Sequence, residues 1–257
     1  MSKNIMTTDI KQIKSKKLNK RFTIVALVIS SLFFLLFLLL YFVIGINSGL
    51  NRLLISGIWF AFNLIMVLKC AEKIPVAVSI ILTVIFVTIL FFQSIFFLGF
   101  SSDTPWRYNF QKSYIIFRNN YEFRVAPEKL PDDISDYSME YLPSIMQGTG
   151  HSSVRFKASQ DVIKAYEEEY SAKAIYTYPY SEFEYGHSIY VEEVSPKASA
   201  TWEDDKSLDI YSDTDFWAES TSATVYVTSA VHNWNHPHST AVIIDSEKNM
   251  IEFAQLG

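Results

Sequence analysis

From Phe22 to Gly45 the chain runs 24 residues without a charge. As an α-helix this stretch would reach roughly 36 Å, enough for a hydrocarbon core of about 30 Å. A cleaved signal peptide is a poor description, because such an apolar region is shorter and ends on small residues. Here the end is Tyr41-Phe42-Val43-Ile44-Gly45. Two more apolar runs follow. Leu53 to Leu68 is bounded by Arg52 and Lys69 and contains Asn63, an amide that would need a facing helix in lipid; a re-entrant hairpin is the alternative for this run. Ile74 to Phe100 has Pro75 at its start, where a missing N–H costs nothing, and Gln93 and Ser94 near its far end. The expected class is a membrane protein with three transmembrane α-helices (about 22–45, 53–68 and 74–100) followed by a C-terminal soluble α+β domain.

Charge sets the expected topology. Residues 1–21 hold seven cations and one acid, a basic tail that should stay cytoplasmic. Lys69 and Lys73 place the second short loop on the same side. Three crossings would then put residues 101–257 outside, as the extracytoplasmic domain of a multi-pass plasma-membrane protein. If the second run did not cross, that domain would be cytoplasmic. Residues 101–257 carry 25 acidic against 12 basic side chains, a net charge of −13. Such a unit repels phosphate, which argues against nucleic acid as a partner. The lipid bilayer and another envelope or membrane protein are the partners expected. Cys70 is the single cysteine, so no intramolecular disulfide forms. No Asn-x-Ser/Thr signal occurs, in keeping with a bacterial source.

Beyond the apolar third, residues 101–120 read as a juxtamembrane connector and 121–257 as the α+β domain. Arg107, Lys112 and Arg118 stand among aromatics in the connector, which suits a segment lying against lipid or a plain linker helix or strand. Two prolines and several charges make 126–133 a loop. Asp136–Leu142 and His151–Lys157 pattern as strands of a hairpin, joined by Gln147-Gly148-Thr149-Gly150, a turn expected to need positive φ. Ser159 is placed to cap a helix from Gln160 to about Ala174, with Val162, Ile163, Tyr166 and Tyr170 on one buried face. Lys164 and Glu168 can pair outside it. Tyr176–Glu193 reads as strand, 195–219 mostly as loop, Thr221–Val231 as strand, and Thr240–Ala254 as a final hairpin turning at Ser246–Asn249.

The segment Pro127-Glu-Lys-Leu-Pro131, the strand running to Leu142-Pro143, Gln147-Gly148-Thr149-Gly150, the helix from Ser159 and the hairpin around Asp245–Asn249 resemble a recurrent pattern over roughly residues 120–257. It is similar to that of uncharacterised membrane- or lipid-anchored proteins of Gram-positive bacteria. The resemblance implies a location and a domain type, and brings no activity or catalytic residue.

The sharpest local motif is His232-Asn-Trp-Asn-His236-Pro-His238. Three imidazoles could hold zinc, nickel or copper, so His232, His236 and His238 are the candidate metal ligands. The alternative is a polar turn between strands, with Trp234 packing down. Glu203, Asp204, Asp205, Asp209, Asp213, Asp215 and Glu219 form an acidic run that lacks the EF-hand spacing calcium requires. Tyr176, Tyr178, Tyr180, Tyr185 and Tyr190 could stack on a sugar or peptide, or simply pack a sheet. No nucleophile elbow, His-Glu-x-x-His or phosphate loop occurs. No cofactor is expected. The function expected is a displayed, non-enzymatic binding, sensing or accessory domain. The alternatives are an envelope hydrolase, metal-dependent through the histidines, and a helical subunit of a transporter or immunity-type protector.

Overall fold

A computed structural model describes residues 20–257, apart from 22, 23, 26, 33, 37, 40, 41, 46–48, 97, 98, 119–121, 145–147, 201–205 and 234. Nearly all of the basic tail, Glu203–Asp205 and Trp234 therefore lie outside the described residues. The chain divides into two units, one of residues 1–42 and 47–97, the other of 43–46 and 98–257.

The first unit is helical. Described residues between 20 and 44 are helical, followed by α1 (Gly49–Cys70) and α2 (Val76–Phe96). Asn63 finds the partners its burial demands. Ser30 and Ser31 donate to its Oδ1 at 2.6 and 3.3 Å, and its Nδ2 donates to the Trp59 carbonyl at 2.9 Å. Trp59, Phe62 and Met66 form a small core with Leu27, Phe34 and Phe86. The outward faces remain apolar: Leu32, Leu39, Phe60, Ile81 and Val84 are all exposed.

The three-transmembrane expectation is corrected here, and with it the multi-pass plasma-membrane location and the outside placement of the second unit. Among the described residues no helix is long and apolar enough to cross a membrane.

The second unit is built on one large, mainly antiparallel sheet. Its strands are β1 (Phe100–Ser102), β2 (Ser135–Leu142), β3 (His151–Lys157), β4 (Tyr176–Pro179), β6 (Ser199–Ala200), β8 (Thr224–His232), β9 (His238–Asp245) and β10 (Met250–Leu256). The order is β1-β2-β3-β10-β9-β8-β4, with β6 added parallel to β8. A separate two-stranded sheet pairs β5 (Ser188–Tyr190) with β7 (Ser207–Asp209). The tyrosine-rich stretch expected as one strand is thus broken into β4 and β5, and the expected loop at 195–219 contains β6, β7 and the short helix α5 (Thr214–Trp217).

Period-two alternation sends each strand's residues to opposite faces. One face carries Tyr141, Val154, Phe156, Ile251 and Phe253, all buried. Helix α4 (Gln160–Lys173) covers it, with Ile163 and Tyr170 buried as their spacing demands. Phe253 packs edge-on against Tyr166 and Tyr170 at 5.3 and 5.7 Å between ring centres. Helix α3 (Tyr108–Arg118) buries Tyr108, Gln111 and Ile115. Its Lys112 does not reach outward for a headgroup but donates to the carbonyls of Ala126 and Pro127 at 2.7 and 2.8 Å.

Two local expectations change. Ser159 stands at the start of α4 without donating or accepting a side-chain cap bond; its N–H donates to Asp133 at 3.1 Å instead. On α4 the ion pair falls at Lys173–Glu169, not at Lys164–Glu168. Gly150 has no positive φ. It is needed for close approach, since a Cβ would lie 2.4 Å from the Ser144 nitrogen and 2.5 Å from the Leu142 carbonyl.

Candidate functional site

The opposite face of the sheet changes character across its width. On the β8–β9 side it is apolar: Val225, Val227, Ala241 and Ile243 pack under Phe183, Leu208, Ile210 and Trp217 from the covering chain. On the β2–β3 side the same face carries Glu140, His151, Ser153 and Arg155. Glu252 of β10 lies at the seam, opposite Arg155 on one neighbour and Ile243 on the other.

Glu252 is fully buried. It accepts the Trp217 indole N–H at 2.6 Å and the Asp213 backbone N–H at 3.1 Å. Asp213 also caps α5 by accepting from the Phe216 N–H at 3.1 Å and pairs through its other oxygen with Arg155. Loss of water pushes the Glu252 carboxyl up to about 7, against opposing hydrogen bonds from Trp217 and Ser153 and the charge of Arg155. Glu140 behaves in the opposite way. It lies beside His151 and accepts the Tyr211 hydroxyl at 3.0 Å, and these contacts hold its carboxyl below the usual range. Tyr211 stacks flat on His151 with ring centres 3.8 Å apart, and burial raises its phenol.

Beside this network opens a groove of about 790 Å³. One wall is α5 and the residues after it, with Asp215, Phe216 and Glu219; the other is β2 with Asp136 and Ser138. Asp136 has φ +52 and sits where the β2–β3 register shifts between Ser135 and Ser138. A bulge of this kind re-aims side chains, and Asp tolerates the left-handed backbone better than most residues. The groove's three cations are each engaged within the chain. Lys157 pairs with Asp136 at 2.8 Å, Arg155 with Asp213, and Lys248 donates to the Glu219 carbonyl. Asp103, Asp215 and Glu219 also line it, and no ion pair of theirs is found among the described residues.

The histidines expected as metal ligands are not brought together as a ligand set. His232 is buried at the end of β8, with Tyr176 Oη 3.0 Å from its Nε2 and the Ser207 carbonyl 2.7 Å from its Nδ1. Both ring nitrogens are therefore occupied. His238 opens β9, and His236 lies in the turn, its N–H donating to Asn233 at 3.1 Å. Among the described residues no group of three His, Cys, Asp or Glu side chains could hold a metal ion. In the acidic run, Asp213 is taken up by Arg155 and the α5 cap. The network around Glu252 was not identified from the sequence. Its only signal was an acid at an inward position of an otherwise apolar strand, Met250-Ile-Glu-Phe-Ala254.

The fold and site define an α+β unit in which helices cover one face of a mainly antiparallel sheet and an irregular chain closes the other over a polar seam. No family model, curated protein or solved structure matches the chain.

Proposed function

We propose that the unit of residues 98–257 is a non-enzymatic binding module, and that its groove takes a basic peptide segment. The observation that carries this is the imbalance in the groove: its three cations are engaged inside the chain, while Asp103, Asp215 and Glu219 line it with no ion pair among the described residues. The net charge of −13 over residues 101–257 steers a basic partner towards it. Phe216 supplies an aromatic surface, already visited on one side by the Arg155 guanidinium at 5.0 Å, the kind of contact that a partner's Arg would also make. Catalysis is the weaker reading because Glu140 and Glu252, the carboxylates of the seam, are engaged by hydrogen bonds within the fold.

The exposed apolar faces of the helical unit support a second partner of different chemistry, a lipid surface or the apolar face of another protein. The test of the groove is fluorescence anisotropy of the full chain with a labelled Lys/Arg-rich peptide and its Glu-rich counterpart. The basic peptide should bind, more weakly as salt rises. Asp215→Asn with Glu219→Gln should lower its affinity about tenfold, the worth of roughly 1.4 kcal/mol. Equal binding of both peptides, or no effect of the double substitution, would sink the reading.

A further inference from the structure

The groove meets a sheet edge that is only partly filled. β1 is the outermost strand beside β2, but it has three residues against the eight of β2. Its register covers Tyr141, Glu140 and Met139 and stops there. On the inner side, β2 pairs with β3 at Ser135 and again from Ser138 onward, and the bulge leaves Asp136 and Tyr137 without register partners. Past the end of β1, residues 135–138 thus have β3 on one side and, among the described residues, no strand on the other. The groove lies at this gap. Asp136, Tyr137 and Ser138 line it, together with Asp103, which directly follows β1.

A strand edge left open offers its N–H and C=O groups to any extended chain. The side chains say which chain suits it. Alternation puts Ser138 and Glu140 on the groove face and Tyr137, Met139 and Tyr141, all buried, on the other. An added strand would follow the same rule, so every second side chain would face the wall that carries Asp215 and Glu219. A second copy of this chain would bring like charge to the edge, since residues 101–257 carry −13; a basic segment brings the opposite charge.

We propose that the groove's partner binds as an added β-strand: an extended segment with Lys or Arg at alternate positions, paired main chain to main chain with β2 at 135–138 and in line with β1. This inference rests on the groove reading for the partner's charge and adds the mode of binding and the spacing of its cations.

The test is fluorescence anisotropy of the full chain with a labelled alternating Lys-Val peptide in three forms: unmodified, N-methylated at every Lys, and N-methylated at every Val. In an added strand the N–H groups of alternate residues point to the same edge. One methylated form should therefore lose about tenfold or more in affinity, while the other stays within about twofold of the parent. Amide hydrogen exchange within 135–138 should slow about tenfold when the unmodified peptide is added. Equal affinities of the two methylated forms, or unchanged exchange at 135–138, overturns the strand mode while binding of the unmodified peptide still upholds the groove reading. No binding of the unmodified peptide overturns both. Sedimentation of the chain alone adds one more outcome: a dimer that protects 135–138 would put a second copy on this edge and overturn the proposal.

Discussion

Asp245 closes β9 and is fully buried, so its removal should be among the most costly polar substitutions in the chain. Its Oδ1 accepts from the Ser222 hydroxyl at 2.9 Å and from the N–H groups of Glu247 and Lys248 at 3.0 and 2.9 Å. Its Oδ2 accepts from the Ser220 hydroxyl at 2.5 Å. One side chain thereby shapes the β9–β10 turn, where Asn249 sits at φ +57, and ties down the chain that follows α5. Asp245→Asn keeps the oxygen used by three of the four donors and loses the charge. Hydrogen bonds to charged groups contribute roughly 1.5–3 kcal/mol and neutral ones about 0.5–1.5, so the expected loss is about 2 kcal/mol. Asp245→Ala leaves all four donors without this acceptor, and about 4 kcal/mol is expected. The measurement is denaturant unfolding of the full chain at pH 7, followed by near-ultraviolet circular dichroism. Burial alone would raise this carboxyl, but the bonds from Ser220, Lys248, Ser222 and Glu247 outweigh it and hold it below the usual 3.8. Its contribution is therefore present above pH 3.8 and lost as pH falls through the folded value, so the gap between wild type and Asn should narrow in acid. Equal costs for Asn and Ala, or a gap that persists to the acid limit, would refute this reasoning.

Glu252 gives the opposite pH dependence over the whole unit. Its contribution is fully present below pH 4.5 and lost as pH rises through about 7, a change of about 3 kcal/mol at about 1.4 kcal/mol per pH unit. Glu252→Gln should thus stabilise at pH 8 relative to pH 5, read from denaturation midpoints at the two values. Phe253→Ala empties a fully buried site ringed by Phe156, Tyr166 and Tyr170 and should cost about 3–5 kcal/mol by the same measurement. Gly150→Ala should destabilise by more than the few tenths expected of an exposed turn, because the new Cβ meets backbone rather than a movable side chain; a neutral melting shift would contradict it.

Local patterns carried far in residues 101–257. Alternation placed β2, β3 and the closing hairpin close to their observed positions, and a three-four spacing placed α4. Both periods are written in consecutive residues, so neighbours alone suffice to read them. The region 176–219 was less legible, because its backbone finds partners far along the chain: β4 on β8, β6 on β8, and β5 on β7. The three apolar runs led to a spanning expectation that no described helix meets.

The candidate sites show the same division. Proximity in sequence brought His232, His236 and His238 together, yet Tyr176 and Ser207 claim the first of them. The Glu252 network joins residues 140, 153, 155, 213, 217 and 252, which meet only because β2, β3 and β10 lie side by side and α5 folds over them. The sequence by itself determined the acidic balance of residues 101–257, the apolar character of the first third, and the strands and helix with a regular period, since these depend on composition and on neighbours. The tertiary structure alone decided which carboxyl loses its water, which cations are already paired and where a groove remains open. Those properties arise from strand register and chain crossing, and burial changes a side chain's chemistry only once distant segments have met.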